Sequence, residues 1–155
     1  MSKKYIAEFI GTFSLSFIVL MAVATKTSLP MAIPLIAGLV VGLFVYTIGP
    51  ISGCHINPAI TLGQLSVKKI SLKDAVGYIV AQIAGALGAV LLAKAFSVSS
   101  PMVAAAFDGK VFIAEMLGTF FLSFGIASVV YGQAKEQVSG LVIGGSLVFG
   151  VLAAS

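Results

Sequence analysis

Residue types that build catalytic and metal sites are scarce in this chain of 155 residues. It contains no tryptophan and no arginine, with one cysteine and one histidine. A single cysteine cannot form an internal disulfide or a thiolate cluster, and one histidine cannot hold a metal ion by itself. No group of His, Asp, Glu or Ser has a catalytic spacing, so these residues predict neither an enzyme nor a bound metal or cofactor.

Charge is also scarce. Only 9% of the residues are charged and 59% are hydrophobic, and the mean hydropathy is +1.15. These values exclude an ordinary soluble domain and predict an integral membrane protein that has the lipid bilayer as its partner. Five stretches without ionisable residues favour five helical spans. They are residues 9–25, 31–48, 75–93, 116–134 and 137–155.

All nine basic residues are lysines, and they fall between the apolar stretches. If the spans alternate in direction, six lysines lie on one side of the membrane and three on the other. The positive-inside rule then predicts a cytoplasmic N-terminus, with the protein in the cell membrane. The net charge of +4 is therefore interpreted as a result of the lysines that orient the chain in the membrane, and not as a sign of nucleic-acid binding.

The longest uncharged stretch, residues 27–66, is too long for one span. As a helix it would measure about 60 Å, against roughly 30 Å of hydrocarbon. Gly49 and Pro50 predict a break after the first crossing. Asn57 is a favoured N-cap and Pro58 suits the first helical position, so a second helix is expected over residues 57–66. That helix spans about half a bilayer and is predicted to be re-entrant.

Non-helical backbone is tolerated at membrane depth only where protein buries it or water lines it. A half-helix with a loop before it therefore predicts a polar path through a channel or a transporter. The helix N-terminus and the Asn57 amide would offer N–H donors to an oxygen and repel cations. A transporter would need acidic residues to hold coupling ions, and residues 27–66 contain none. A channel is favoured.

The segment Ser52-Gly53-Cys54-His55-Ile56-Asn57-Pro58-Ala59-Ile60-Thr61 resembles the first signature loop of the aquaporin and aquaglyceroporin family, the major intrinsic proteins. Cys54 stands where that family usually has Ala or Gly. The resemblance implies an all-α polytopic membrane protein with an aquaporin-like right-handed helical bundle. It also implies a homotetramer of passive channels, in which water or small neutral solutes such as glycerol pass in single file.

The resemblance assigns roles to particular residues. Ala37 stands where many members have an aromatic constriction residue, so a wider opening is expected. The His55 side chain is interpreted as pinning the loop, with pH gating as the alternative. The expected pore-lining residues are Ala37, Gly53, Cys54, His55, Ile56 and Asn57, and the residues expected to support the loop are Glu8, Pro58, Gln82 and Glu115.

The chain contains an internal repeat. Residues 7–17 recur as residues 114–124 with eight of eleven positions identical, at an offset of 107. Three crossings per unit would make the second copy enter from the opposite face, which is an inverted repeat. We therefore expect a first repeat over residues 1–100 and a partial second repeat over residues 101–155.

The same offset would place the second copy's Asn near position 164, beyond Ser155. The sequence therefore predicts five spans and one half-helix, with the second half-helix and the sixth span absent and Glu115 without its loop. The expectation is a truncated or fragmentary channel. The alternatives are a nonconducting membrane remnant and a half-channel that needs a partner chain.

Overall fold

The computed structural model describes residues 2–24, 32–96, 98 and 108–154, and every element in them is helical. Lys26 and the predicted boundary between residues 100 and 101 lie outside these ranges. The helices are α1 (Lys3–Ala24), α2 (Ala32–Thr47), α3 (Gly49–Ser52), α4 (Pro58–Ser66), α5 (Leu72–Ala95), α6 (Gly109–Val130) and α7 (Ser139–Ala154), and a 3-10 turn at Glu136–Val138 precedes α7.

In the described part of the chain, four helical segments are long and apolar enough to cross a membrane: α1, α5, α6 and Glu136–Ala154. Helix α2 is also apolar but has 16 residues. The membrane character of the protein follows from these lengths and compositions. The count of five spans stays a prediction.

Helices α2 and α7 form a central pair, and the other long helices pack around it. Helix α2 packs along α7, which also packs along α6, while α1 packs along α5 and contacts α2. The short helices α3 and α4 lie within this arrangement, α3 against α1 and α2, and α4 against α5. Because α2 and α7 belong to different copies of the repeat, their contact joins the two units.

Glycines set the distance between α2 and α7. A Cβ atom on Gly38 would lie 2.6 Å from the carbonyl oxygen of Gly144, and one on Gly42 would lie 2.8 Å from that of Gly140. Small residues at these positions let the two helix backbones approach closely. Since the residue numbers run in opposite directions along the contact, the two helices are antiparallel, as an inverted repeat requires.

The repeat is visible at the starts of two helices. Helix α1 begins at Lys3 and helix α6 at Gly109, so the two starts are 106 residues apart, one fewer than the repeat offset. Similar apolar patterns therefore begin helices at nearly matching points in both units.

The break after α2 is more elaborate than the sequence indicates. Helix α2 ends at Thr47, and the chain then makes the single turn α3, with Pro50 in its first turn and Gly53 closing it at φ 85°. Proline is tolerated there because the first N–H groups of a helix have no intrahelical partner. The added turn brings Ser52 into contact with α1, which the sequence did not predict.

Capping residues mark the starts of α4 and α5, and the start of α4 is the one predicted from Asn57 and Pro58. Helix α4 begins at Pro58, and the Asn57 side-chain oxygen accepts a hydrogen bond from the Ala59 backbone N–H at 2.8 Å. Helix α5 begins after Ser71, whose hydroxyl accepts from the Asp74 N–H at 3.1 Å. Both caps satisfy N–H groups that the helices leave unpaired, which explains why local sequence located them.

Candidate functional site

The loop between α3 and α4 has an unusual backbone. Gly53, Cys54 and Ile56 all have positive φ, at 85°, 53° and 39°. Glycine adopts this region freely, but the other two residues are strained by an order of 1–3 kcal/mol each. Such a loop persists only where its surroundings hold it.

Glu8 of α1 provides that hold. Its side chain is 0% exposed and its carboxylate accepts four hydrogen bonds. The donors are the Ser52 hydroxyl at 2.6 Å and the His55 N–H at 2.9 Å on Oε1, and the Ile56 N–H at 2.6 Å and the Gln82 amide at 2.8 Å on Oε2. The two oxygens of a carboxylate have enough lone pairs for four such donors. Glu8 therefore joins the loop to α1 and α5.

Thr61 of α4 forms a second junction and is 0% exposed. Its Oγ1 lies 3.0 Å from the Gln82 amide nitrogen, 3.1 Å from the Asn57 carbonyl oxygen and 3.2 Å from His55 Nδ1. The sequence analysis missed this residue. Its position one helical turn after the cap Asn57 is the signal that could have found it, because that spacing turns a side chain back toward the loop.

Tyr78 of α5 supports the same loop from its other end. Its hydroxyl donates to the Ser52 carbonyl oxygen at 2.6 Å, and its ring meets the His55 ring edge-on at a centroid distance of 5.1 Å. The Ser52 hydroxyl accepts from the Cys54 N–H at 3.1 Å. Tyr78 and Ser52 were also missed, because their roles depend on residues far away in the sequence.

A cavity of about 680 Å³ ends at this loop. Gly53, Cys54 and His55 border it together with apolar side chains of α2, α6 and α7, and charged groups of Lys69, Asp74 and Glu136 border it at helix ends. Since one water takes up about 30 Å³ in the liquid, the cavity has room for several waters or a small polyol. No cluster of three metal-ligating side chains occurs in the described ranges.

The remaining predicted pore residues lie away from this cavity. Ile56 is 4% exposed and packs in a cluster with Val41, Cys54 and Ile143, and Ala37 is 7% exposed on α2. Asn57 is half-buried and uses its side-chain oxygen for the cap. Its amide nitrogen makes no hydrogen bond to the described residues, so that group is available as a donor.

Glu115, the repeat counterpart of Glu8, has a different environment. It is exposed on α6, and no described residue forms a hydrogen bond or ion pair with it. Around it, Met116 is 54% exposed and Phe120 is 58% exposed. Their counterparts on α1 include Phe13, whose ring is approached by α5 at Gly88. In the first unit α5 covers this face, and in the second unit nothing in the described chain does.

Two contacts involve charged residues that border the cavity, Asp74 and Lys69. The Lys4 amine lies 2.6 Å from the Asp74 carboxylate, which also accepts a hydrogen bond from Tyr5 at 2.9 Å, so the starts of α1 and α5 are joined. The Lys69 amine lies 4.9 Å from the centre of the Tyr131 ring at the end of α6. This cation–π contact connects the segment after α4 with the second unit.

Comparison with known proteins agrees with this geometry. The sequence model of the family described as Major intrinsic protein matches residues 1–155. The chain is 36% identical to glycerol uptake facilitator protein-like 6 of Lactiplantibacillus plantarum, over 98% of this chain and 75% of the relative. It is 33% identical to aquaporin AqpM of Methanothermobacter marburgensis, over 93% of this chain and 72% of the relative.

A solved structure has the same fold. The X-ray structure of the aquaglyceroporin from Plasmodium falciparum superposes with a TM-score of 0.64 at 25% identity. The match covers 97% of this chain and 69% of that protein. The arrangement of α1 to α7 is thus shared with a membrane channel protein.

Proposed function

Because the chain belongs to the major intrinsic protein family, we propose that it forms a passive transmembrane channel for water and small neutral solutes such as glycerol. The observation that carries the proposal is the strained loop that Glu8 holds at the end of a cavity, directly before the N-terminus of α4. A channel needs such a polar path, and no covalent step is required.

A solute would enter from the end of the cavity bordered by Lys69, Asp74 and Glu136 and move between apolar walls toward the loop. There it would exchange bonds to water for bonds to the protein. The N-terminus of α4 carries a partial positive charge, and the Asn57 amide nitrogen adds donors. These groups accommodate a lone-pair oxygen and disfavour cations, so neutral solutes are selected.

The size of the solute is part of the proposal. Ala37 is buried on α2 and does not border the described cavity, so the family resemblance alone supports its place at the constriction, where a methyl group would leave room for a polyol. A relative named glycerol uptake facilitator protein-like 6 also supports an opening wide enough for a polyol. We also propose a homotetramer in the cell membrane with a cytoplasmic N-terminus, which the lysine distribution supports.

The test is osmotic shrinkage of proteoliposomes that contain this chain, followed by light scattering. An impermeant osmolyte measures water flux, and a glycerol gradient measures glycerol uptake. Ala37→Phe should lower glycerol uptake more than water flux, because the ring narrows the opening. Leu39→Phe is the matched control, since Leu39 is 73% exposed on the same helix. Fluxes equal to those of protein-free liposomes would refute the channel.

A second candidate, a half-channel completed by a partner chain, is favoured by the face of α6. Glu8 receives four donors, whereas Glu115 has none in the described chain and is exposed among large apolar side chains. An ionisable group at membrane depth costs several kcal/mol unless it is paired. A partner would have to bring backbone N–H groups or an amide to Glu115.

Lipid access distinguishes the two candidates. In a Cys54→Ala background, Phe120→Cys and the control Leu91→Cys each introduce a single cysteine. A fluorophore is attached to that cysteine, and the protein is placed in lipids that carry a quencher. Both native residues are exposed, on α6 and α5 respectively. Protection of position 120 with quenching at position 91 would support a partner chain on α6. Equal quenching at both positions would contradict it.

A further inference from the structure

The hydrogen bonds around Thr61 determine which nitrogen of His55 carries its proton. Glu8 accepts hydrogen bonds through both oxygens of its carboxylate. Gln82 must therefore turn its amide nitrogen toward Glu8, where the distance is 2.8 Å. The same nitrogen lies 3.0 Å from Thr61 Oγ1, so its second N–H donates there. The orientation of the Gln82 amide is settled by the charge beside it.

The Thr61 hydroxyl has one proton and two lone pairs. One lone pair accepts from Gln82. The proton goes to the Asn57 carbonyl oxygen at 3.1 Å, an acceptor one turn earlier, which is a common bond for a helical threonine. The remaining lone pair then accepts from His55 Nδ1–H at 3.2 Å. This arrangement uses these three contacts and leaves unused only the longer approach of Oγ1 to the Gln82 side-chain carbonyl oxygen, at 3.4 Å. Donation from Thr61 to Nδ1 would use only two of the three.

The other ring nitrogen of His55, Nε2, then carries no proton and can accept a hydrogen bond. A Cβ atom on Gly53 would lie 3.5 Å from both Cδ2 and Nε2 of His55, so this edge of the ring lies beside Gly53. Gly53 and His55 both border the inner end of the cavity. The Tyr78 ring packs edge-on against the imidazole and restricts its rotation. Nε2 makes no hydrogen bond to the described residues.

We propose that Thr61 holds His55 in the Nδ1–H form, so that Nε2 offers solutes an acceptor at the end of the cavity. This inference rests on the proposed channel function and refines its selectivity. Asn57 and the start of α4 supply donors, and His55 Nε2 supplies an acceptor on the same loop. A hydroxyl group both donates and accepts, so water and polyols are the solutes that can use both. Thr61 is a positioning residue in this scheme.

The proton position can be measured directly, because His55 is the only histidine in the sequence. The full chain is labelled with 15N-histidine, reconstituted in lipid bilayers and examined by solid-state NMR. We expect Nδ1 to carry the proton and Nε2 to be unprotonated. A neutral ring with its proton on Nε2 would overturn the inference, whether or not the protein conducts.

Variants link the tautomer to Thr61. Thr61→Val keeps the shape and removes the hydroxyl, so the proton should move at least partly to Nε2, and Thr61→Ser should restore the original signal. Thr47→Val is the control, because the Thr47 hydroxyl bonds the Leu43 and Phe44 carbonyls of its own helix. An unchanged Nδ1–H signal in Thr61→Val would refute the positioning role. The wild-type spectrum decides the tautomer even if that variant fails to fold.

Flux measurements complete the test. Thr61→Val should lower glycerol permeability about fivefold, the equivalent of one hydrogen bond, and Thr61→Ser should recover it. Unchanged glycerol permeability together with a shifted tautomer would overturn the role of Nε2 as an acceptor for solutes. A wild-type chain that shows the Nδ1–H form but conducts nothing would refute the channel function and leave the tautomer assignment standing.

Discussion

Replacing Glu8 with glutamine tests the part of the structure on which the site depends. The side chain keeps its shape but exchanges one accepting oxygen for an NH₂ group. Oε1 accepts from Ser52 and His55, and Oε2 accepts from Ile56 and Gln82. In either orientation the new NH₂ group faces a backbone N–H that cannot turn away. At least one buried donor is then left without a partner.

The magnitude follows from these contacts. A buried unpaired donor costs about 1–3 kcal/mol, and removing one partner of a buried charged network costs about 3–5 kcal/mol. The loop also contains strain of an order of 1–3 kcal/mol at each of Cys54 and Ile56, which its bonds to Glu8 offset. We therefore expect Glu8→Gln to lower the free energy of unfolding by about 3 kcal/mol or more and to release the loop.

The assay combines thermal unfolding in detergent, circular dichroism and proteoliposome flux. The Glu8→Gln variant should keep its helical content but melt at a lower temperature and lose water flux. The matched control is Glu115→Gln, the same change at the repeat counterpart, which is exposed. Its stability should equal or exceed that of the wild type, since the substitution removes an unpaired charge. Equal stability of the two variants would refute the reasoning.

Three further substitutions test the packing of the loop and helices. Gly42→Val should destabilise the protein by about 1–3 kcal/mol through a clash with the α7 backbone, while Gly145→Val, which meets nothing within 4 Å, should not. Gly53→Ala should cost about 1 kcal/mol at φ 85°, in contrast to Gly49→Ala. Tyr78→Phe should cost about 1 kcal/mol by removing its hydrogen bond. Thermal unfolding measures the change in stability of each variant. A glycine variant as stable as its control, or Tyr78→Phe as stable as the wild type, would contradict the contact that the substitution is meant to disturb.

Much of the fold could be predicted from local patterns. The start of α4 at Pro58 and the start of α5 after Ser71 follow from capping, which involves residues within one turn. The repeat of residues 7–17 at 114–124 predicted that α1 and α6 are equivalent helices. The spacing of Gly38, Gly42, Gly140 and Gly144 is typical of close helix packing, although it does not say which helices meet. The family resemblance directed attention to Glu8 and to the Asn57 loop.

The rest required residues that are distant in the chain. Glu8 meets the loop 44 to 48 positions later, and Gln82 reaches Glu8 across 74 positions. No local pattern predicts which donors share one carboxylate, so Thr61 was missed. The burial of Ala37 and Ile56 is likewise set by neighbouring helices rather than by their own segments.

The sequence by itself determined that this is an apolar helical membrane protein with a duplicated unit and a short capped helix, because composition, periodicity and capping act over a few residues. The tertiary structure alone decided that one carboxylate is fully paired and its repeat counterpart is exposed. Identical residues in a repeat differ when only one of them has a helix and a loop packed against it, since burial and hydrogen bonding depend on the whole surroundings.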